Sequence, residues 1–256
     1  MPRPPARTFV ASALSATALL TATACSAGPD KAPTTARAAA TPTTAQSPTT
    51  TAPALTEAQA RDALISDADL GEPWTPTQGA ATWRDAMLKA TTDLPDCRRL
   101  LDALYTEEFF GAEARTQAVV GLDDNWDEAQ LRYQVVAHRP AEVDRTLGWL
   151  RTLPEKCAQF GATTARGVPQ AVEVSEAALP EVGDARQALR VLLTGATEDD
   201  ESLTLTVDVA VVRVGGDAIV VTNGGLGDVL NEATQAAVDL GAHRLAEVRK
   251  QGRVQV

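Results

Sequence analysis

The side chains of this chain that could do chemistry are few: three cysteines (Cys25, Cys97 and Cys157), two histidines and several clusters of carboxylates within 256 residues. A zinc-type site needs about four nitrogen, sulfur or carboxylate ligands that converge. His138 and His243 lie far apart with no cysteine to spare, so both are read as surface residues and no metal is expected. The run Asp123-Asp124-Asn125-Trp126-Asp127-Glu128 has the acid density of a calcium loop. Such a loop needs Gly at its sixth position and Glu at its twelfth, where this chain has Glu128 and Gln134. A solvated hairpin turn is the simpler reading, and Glu198-Asp199-Asp200-Glu201 is read the same way, with a weak calcium site as the alternative. Gly224-Gly225-Leu226-Gly227, after a strand, looks like a phosphate-binding turn. The G-x-G-x-x-G spacing fails at Leu230 and no P-loop lysine follows, which leaves a plain strand-to-helix connection. There is no G-x-S-x-G, and no Ser, His and Asp can be grouped into a nucleophile. The expectation is therefore a protein that is not an enzyme, with no catalytic residue and no cofactor.

Cys25 stands apart from the other two. Arg3 and Arg7 precede an apolar run, Thr8 to Leu20, which gives way to the small residues Thr21-Ala22-Thr23-Ala24 and then Cys25. This is the layout of a secretory signal. The run is too short to span a bilayer, which takes about 20 apolar residues. The segment resembles a bacterial lipoprotein signal, in which the cysteine receives diacylglycerol, becomes the new N-terminus after cleavage and is acylated again. The resemblance implies lipidation of Cys25, palmitate included, and a membrane anchor. It departs from the usual pattern at one position: the third residue before the cysteine is normally Leu and here is Ala22. The alternative is an ordinary signal cut after Ala22-Thr23-Ala24, leaving Cys25 as a free thiol. Residues 26–54 are almost entirely Thr, Ala, Pro and Ser, with Asp30, Lys31 and Arg37 the only charges, a composition that cannot build a core. The expected organisation is a signal peptide over 1–24, the lipidated cysteine plus a disordered tether over 25–54, and one extracytoplasmic domain over 55–256.

Without the signal the chain carries 21 basic against 34 acidic side chains, a net charge of −13. That charge argues against nucleic acid or an anionic lipid surface as an electrostatic partner, because either would want a basic face, and leaves cationic or neutral partners open. The domain must be built from the elements that the pattern marks out. Thr56-Glu57-Ala58-Gln59 is a capping box opening a helix to about Ser66. Ser66–Pro76 reads as a loop, packed down by Trp74, and Trp83–Thr92 as a moderate helix. A further helix opens at Pro95-Asp96-Cys97, with Asp96 as its cap. Gln117–Leu122 and Gln130–Val135 alternate with period two around a polar turn and predict an antiparallel hairpin. Pro140 opens another helix, which Pro154 kinks or stops. A weak strand, Gly167–Val174, is followed by three more, Ala188–Leu193, Leu203–Val214 and Ala218–Thr222. In the middle strand of these three Leu203, Leu205, Val207, Val209 and Val211 predict a buried face, and Thr204, Thr206 and Asp208 a wet one. Asp228 is read as the cap of a long final helix. Strands and helices come in blocks, which predicts an α+β domain: an antiparallel sheet with helices packed on one face.

With Cys25 assigned to lipid, Cys97 and Cys157 form an even pair in an oxidising compartment, and a disulfide is expected between them. Two buried thiols are the alternative. Pro95-Asp96-Cys97 at a helix start, Gln117–Leu122, Gln134-Val135-Val136, a helix, and Cys157 with Phe160 just after it resemble the extracellular sensor domain of PknH-type actinobacterial receptor kinases and related actinobacterial lipoproteins. Leu179-Pro180-x-x-Gly183-Asp184 ahead of a strand, and the Val-rich strand pair near the C-terminus, fit the same pattern, so that the resemblance covers about Ala60 to Val248. The resemblance implies an α+β domain that binds something and has no catalytic residues to carry over. This chain has cysteines for one of the family's two disulfides, and no kinase domain. The function expected is a lipid-anchored, non-catalytic ligand-binding or sensor-like lipoprotein. Its partners are the membrane, through the lipid, and a small-molecule or envelope-protein ligand whose identity stays open, as does the oligomeric state. A structural lipoprotein docking another envelope protein, or a hydrolase acting on envelope material through carboxylates, is the alternative. Replacing Cys25 by Ala is expected to block lipoprotein processing and leave uncleaved precursor on an immunoblot; normal maturation of the variant would falsify lipidation.

Overall fold

The three C-terminal strands form the middle of the sheet, and period-two alternation marks the first half of the central one, Leu203–Asp208. The structure is a computed structural model and describes residues 55–111, 114–197 and 201–254. Its elements are α1 (Glu57–Asp62), α2 (Asp67–Leu70), β1 (Trp74–Pro76), a one-turn π-helix (Arg84–Leu88), β2 (Ala90–Thr91), α3 (Pro95–Thr106), β3 (Arg115–Asp124), β4 (Ala129–Ala137), α4 (Pro140–Lys156), β5 (Gln159–Thr164), β6 (Pro169–Glu176), β7 (Ala185–Ala196), β8 (Ser202–Val214), β9 (Asp217–Leu226) and α5 (Asn231–Val254). The strands form one sheet in the order β1-β3-β4-β9-β8-β7-β6-β5-β2, antiparallel throughout. The α+β class and the antiparallel sheet are as expected. The signal segment, Cys25 and the tether lie outside the described residues.

Helices cover both faces of this sheet, where one covered face was expected. Leu205, Val207, Val209 and Val211 of β8 pack with Leu100, Leu101 and Leu104 of α3 and Val143, Leu147 and Leu150 of α4. Ala210, Val212 and Val214 of the same strand, with Ile219 and Val221 of β9, pack on the other side with Ala60 of α1 and Ala237, Val238, Ala242 and Leu245 of α5. The contact on this second side is close. A Cβ on Gly241 of α5 would lie 2.4 Å from the Tyr133 ring, and the Tyr133 hydroxyl, buried, donates to the Ala63 carbonyl at 3.2 Å. Burial pushes the Tyr133 phenol well above its ordinary pKa.

The supposedly wet face of β8 is consequently buried too. Thr206 and Asp208 are 1% and 0% exposed, so the polar residues there do not signal solvent. Asp208 is satisfied internally: Arg190 Nε and Nη2 donate to its two oxygens at 2.7 and 2.9 Å, and Asn231 Nδ2 adds a third bond at 2.9 Å. Arg190 also donates to the Val229 carbonyl at 2.7 Å. This network pins the start of α5 to the sheet, because a buried carboxylate is tolerated only when its lone pairs are taken. The helix starts at Asn231 rather than at an Asp228 cap; Asp228 instead faces Arg190 at 3.5 Å and bonds the Val229 amide.

Other local readings shift for tertiary reasons. The capping box at Thr56 and Gln59 forms, but α1 ends at Asp62. The segment read as a loop contains α2 and β1, and Trp74 joins the edge of the sheet opposite Asp124. Trp83–Thr92 divides into the π-helix and β2, which pairs with β5, a strand with no clear sequence signal. Pro95 takes the first helical position of α3 with Leu94 at the cap, and Asp96 pairs with Lys156 of α4 at 2.8 Å. The Lys156 ammonium, through this hydrogen bond, holds the Asp96 carboxyl below its usual range despite the cost of its burial. α4 runs two residues past Pro154 before stopping. Gly224 and Gly225 are strand residues rather than a turn: a Cβ on Gly224 would come 2.8 Å from the Trp83 ring.

Cys97 and Cys157 are bonded, with their Cα atoms 5.7 Å apart and both side chains in the core beneath α3 and α4. The bridge closes a 60-residue separation, worth about 4 kcal/mol in the chain-entropy picture. The buried Asp208 gives a direct test of the polar network. Asp208→Ala strands Arg190 beneath α5 and is expected to cost about 3 kcal/mol in urea unfolding. Removing the exposed partner of Arg213 by Asp144→Ala should cost under about 1 kcal/mol.

Candidate functional site

α3 has two faces because its apolar residues recur at helical spacing. Cys97, Leu100, Leu101 and Leu104 turn into the core. Pro95, Arg98, Arg99, Asp102 and Thr106 line an open groove of about 570 Å³, whose other wall is the segment Glu108–Gly111. That volume lies within the range of small-molecule sites, roughly 300–1,000 Å³. The apolar part of the lining comes from Pro95, Ala103, Phe109 and Phe110. Phe109 is anchored in the core, whereas Phe110 is half-buried, its ring 6.0 Å from that of His138.

The wall exists because the chain reverses at Glu107, which ends α3 in the left-handed conformation at φ 61°. A side chain other than Gly, Asn or Asp rarely holds this conformation unless its surroundings impose it. Here they do. The Glu107 carboxylate is clamped between Arg84, at 2.9 Å, and Arg132. Arg84 also donates to the carbonyls of Leu104 and Tyr105 at the open end of α3, at 3.4 and 3.0 Å, and Gln134 Nε2 donates to the Glu107 carbonyl at 3.4 Å. Burial raises the Glu107 pKa, and the two guanidiniums act against it. A lone raised carboxyl between two arginines is a structural clamp, since the convergent carboxylate pair of a hydrolase would need a second acid at a defined distance.

Arg99 is the unusual member of the groove. Its guanidinium lies over the Trp149 ring of α4 at 3.8 Å from the centroid. Burial pulls its pKa below the ordinary value, with Asp96 acting in the opposite sense through charge alone. Asp96 itself is engaged with Lys156. Arg98, by contrast, is spent on the Thr92 carbonyl at 2.6 Å and on Asp93.

The acidic hairpin makes a second hollow, of about 450 Å³, between Gly79–Thr82 and Asp123–Gln130. Its acids are mostly occupied. Asp123 accepts from the Thr77 hydroxyl at 2.7 Å, the Gln78 amide at 3.2 Å and Gln130 Nε2 at 2.9 Å. Asp124 is buried and caps the turn by accepting from the amides of Trp126 and Asp127 at 2.8 and 3.2 Å. The hairpin turn is thus as expected: Asp127 and Glu128 are exposed, although Asp123 and Asp124 are structural rather than solvated. Trp126 stands at its tip, 72% exposed. Glu198-Asp199-Asp200 lies outside the described residues. Among the described residues no three His, Cys, Asp or Glu side chains are grouped to hold a metal, and no helix is long and apolar enough to cross a membrane. His138 sits against Phe110 and His243 is exposed on α5. Of the residues singled out from sequence, Pro95 lines the groove, and the Cys97–Cys157 pair ties α3 to α4 in the core behind it. Arg99, Phe109 and Phe110 went unmarked, and the one signal available was a polar stripe on α3 broken by paired arginines and followed by paired phenylalanines.

No protein-family model matches the chain, and no curated protein matches it. Among solved structures it is similar to the extracellular domain of PknH from Mycobacterium tuberculosis, at 16% identity and a TM-score of 0.46, over 78% of this chain and 99% of that one. An uncharacterised protein from Rhizobium leguminosarum is similar at 12% identity and a TM-score of 0.24, over 48% of this chain and 97% of that one.

The clamp can be tested apart from any ligand. Glu107→Ala takes the carboxylate from Arg84 and Arg132, leaving Arg84 its two carbonyls, and should cost about 2 kcal/mol in chemical denaturation, with faster amide exchange over residues 108–111. Trp126→Ala, at an exposed tip, should stay within about 0.5 kcal/mol of the parent.

Proposed function

We propose that the chain is a lipid-anchored, extracytoplasmic lipoprotein whose domain binds a ligand without catalysing a reaction, and that the α3 groove is where it binds. The observation that carries this reading is the groove itself: a lining of mixed apolar and polar residues, one guanidinium placed over an indole, and a wall fixed in place by the Glu107 clamp. A preformed concave surface is the usual form of a binding site. Among the described residues the groove is lined by two acids, Asp102 and Glu108, and no nucleophile or base is grouped with them.

The compartment is supported by the buried Cys97–Cys157 bond, which persists in an oxidising environment. The signal-like segment over 1–24 and lipidation at Cys25 complete the reading: residues 25–54 act as a tether, and 55–256 as the sensor-like domain, held off the membrane by lipid rather than by a spanning helix. The net negative charge keeps nucleic acid from being a partner.

A thermal-shift panel of envelope lipids and glycans on the full chain tests the binding role. A ligand at 100 times its Kd adds about 2.7 kcal/mol, several degrees in Tm for a domain of this size. The expected result is such a shift for at least one compound, lost in Phe110→Ala. No shift with any compound would overturn the binding role.

A further inference from the structure

The groove is specific in chemistry as well as in place. Its hydrocarbon surface comes from exposed Pro95 and half-buried Phe110, with the buried Ala103 and Phe109 supporting them from the core, and there is no backbone ladder to satisfy. Arg99, an exposed residue of the lining, has no hydrogen bond and no carboxylate within ion-pair distance among the described residues, although a guanidinium has five N–H donors. Its place over Trp149 leaves the guanidinium edge for a ligand, and such an edge matches the two oxygens of a carboxylate or phosphate. Arg98, one residue away, is already used by Thr92 and Asp93 and cannot substitute for it. The two acids of the groove, Asp102 and Glu108, make no ion pair there and repel a second negative charge.

Resting on the binding role proposed above, we infer that the α3 groove takes an anionic amphiphile: one carboxylate or phosphate head on the Arg99 edge, and an apolar tail along Phe110 and Pro95. The single charge and the apolar wall belong together. A polyanion would meet Asp102 and Glu108, and a head group without a tail would leave the aromatic wall unused. An apolar tail adds about 0.8 kcal/mol per buried CH₂, so a medium-length chain suits a groove of this size.

Isothermal titration of the full chain tests the inference, with dodecanoate and dodecyl phosphate as anionic probes, all ligands below their micelle concentrations. Dodecyltrimethylammonium and dodecyl maltoside are the charge controls, and inorganic phosphate the head without a tail. Both anionic probes should bind, inorganic phosphate should bind at least 10-fold more weakly, and the cationic control should not bind. Arg99→Gln should weaken dodecanoate at least 10-fold, Arg99→Lys should restore part of the loss, and Arg166→Gln, at an exposed turn, should change nothing. Equal affinity for dodecanoate and dodecyl maltoside, with Arg99→Gln inert, overturns the anionic specificity while leaving a binding groove intact. If none of these probes binds, the amphiphile class is wrong; the binding role then stands or falls separately, on whether the thermal-shift panel finds a compound whose effect is lost in Phe110→Ala.

Discussion

Burial of β8 and β9 on both faces is the constraint from which the rest of the architecture follows. A strand covered on one side can present polar residues to water on the other, but here α3 and α4 close one side and α1 and α5 the other. Each polar residue on β8 must then find a protein partner. Asp208 finds Arg190 and Asn231, Thr206 finds the Gly227 carbonyl, and Asn223 of β9 donates to Leu230 and Thr234. These partners lie on β7, in the connection between β9 and α5 or in the first turn of α5, so the polar network sets where α5 begins and the apolar contacts set how it lies.

On the opposite side the same closure positions the groove. α4 packs across β6, β7, β8 and β9, and α3 packs on α4, tied to it by the Cys97–Cys157 bond and by Asp96–Lys156. This brings Trp149 under Arg99. The groove is therefore a surface feature of two helices that the core has locked, and its second wall depends on a reversal at Glu107 that Arg84 and Arg132 hold in place. One of these arginines comes from the π-helix and the other from β4, elements that the sheet alone brings together.

Electrostatics are divided along the molecule in a consistent way. The acidic hairpin spends its aspartates on turn geometry, Asp69 is held well below the usual carboxylate range chiefly by its hydrogen bonds with Arg244, and Asp208 is fully enclosed. Asp123 and Asp124, which look like part of a site in the one-dimensional chain, are thus consumed as structure. Arg99, by contrast, has no hydrogen-bonded or ion-paired partner among the described residues, and it lies in a concave place of mixed apolar and polar lining.

Much of the fold was legible in local pattern. The hairpin β3–β4, the run β7–β9, Pro95 and Pro140 at helix starts and the Cys97–Cys157 pairing all rest on short-range periodicity, on proline stereochemistry or on cysteine parity. Elements without such a signal were not legible: β5 and β2 are strands because they meet each other at the sheet edge, and the π-helix forms where Trp83 must pack over Gly224. The second helical layer was hidden because Thr206 and Asp208 look solvated until an arginine 18 residues away is known to face them. The amino-acid order by itself determined the compartment-like signature, the α+β class and the cysteine pair, since each depends on neighbours in the chain. Only the tertiary structure decided which acids were internal and which arginine was left open, because charge pairing depends on distances between residues that the chain keeps far apart.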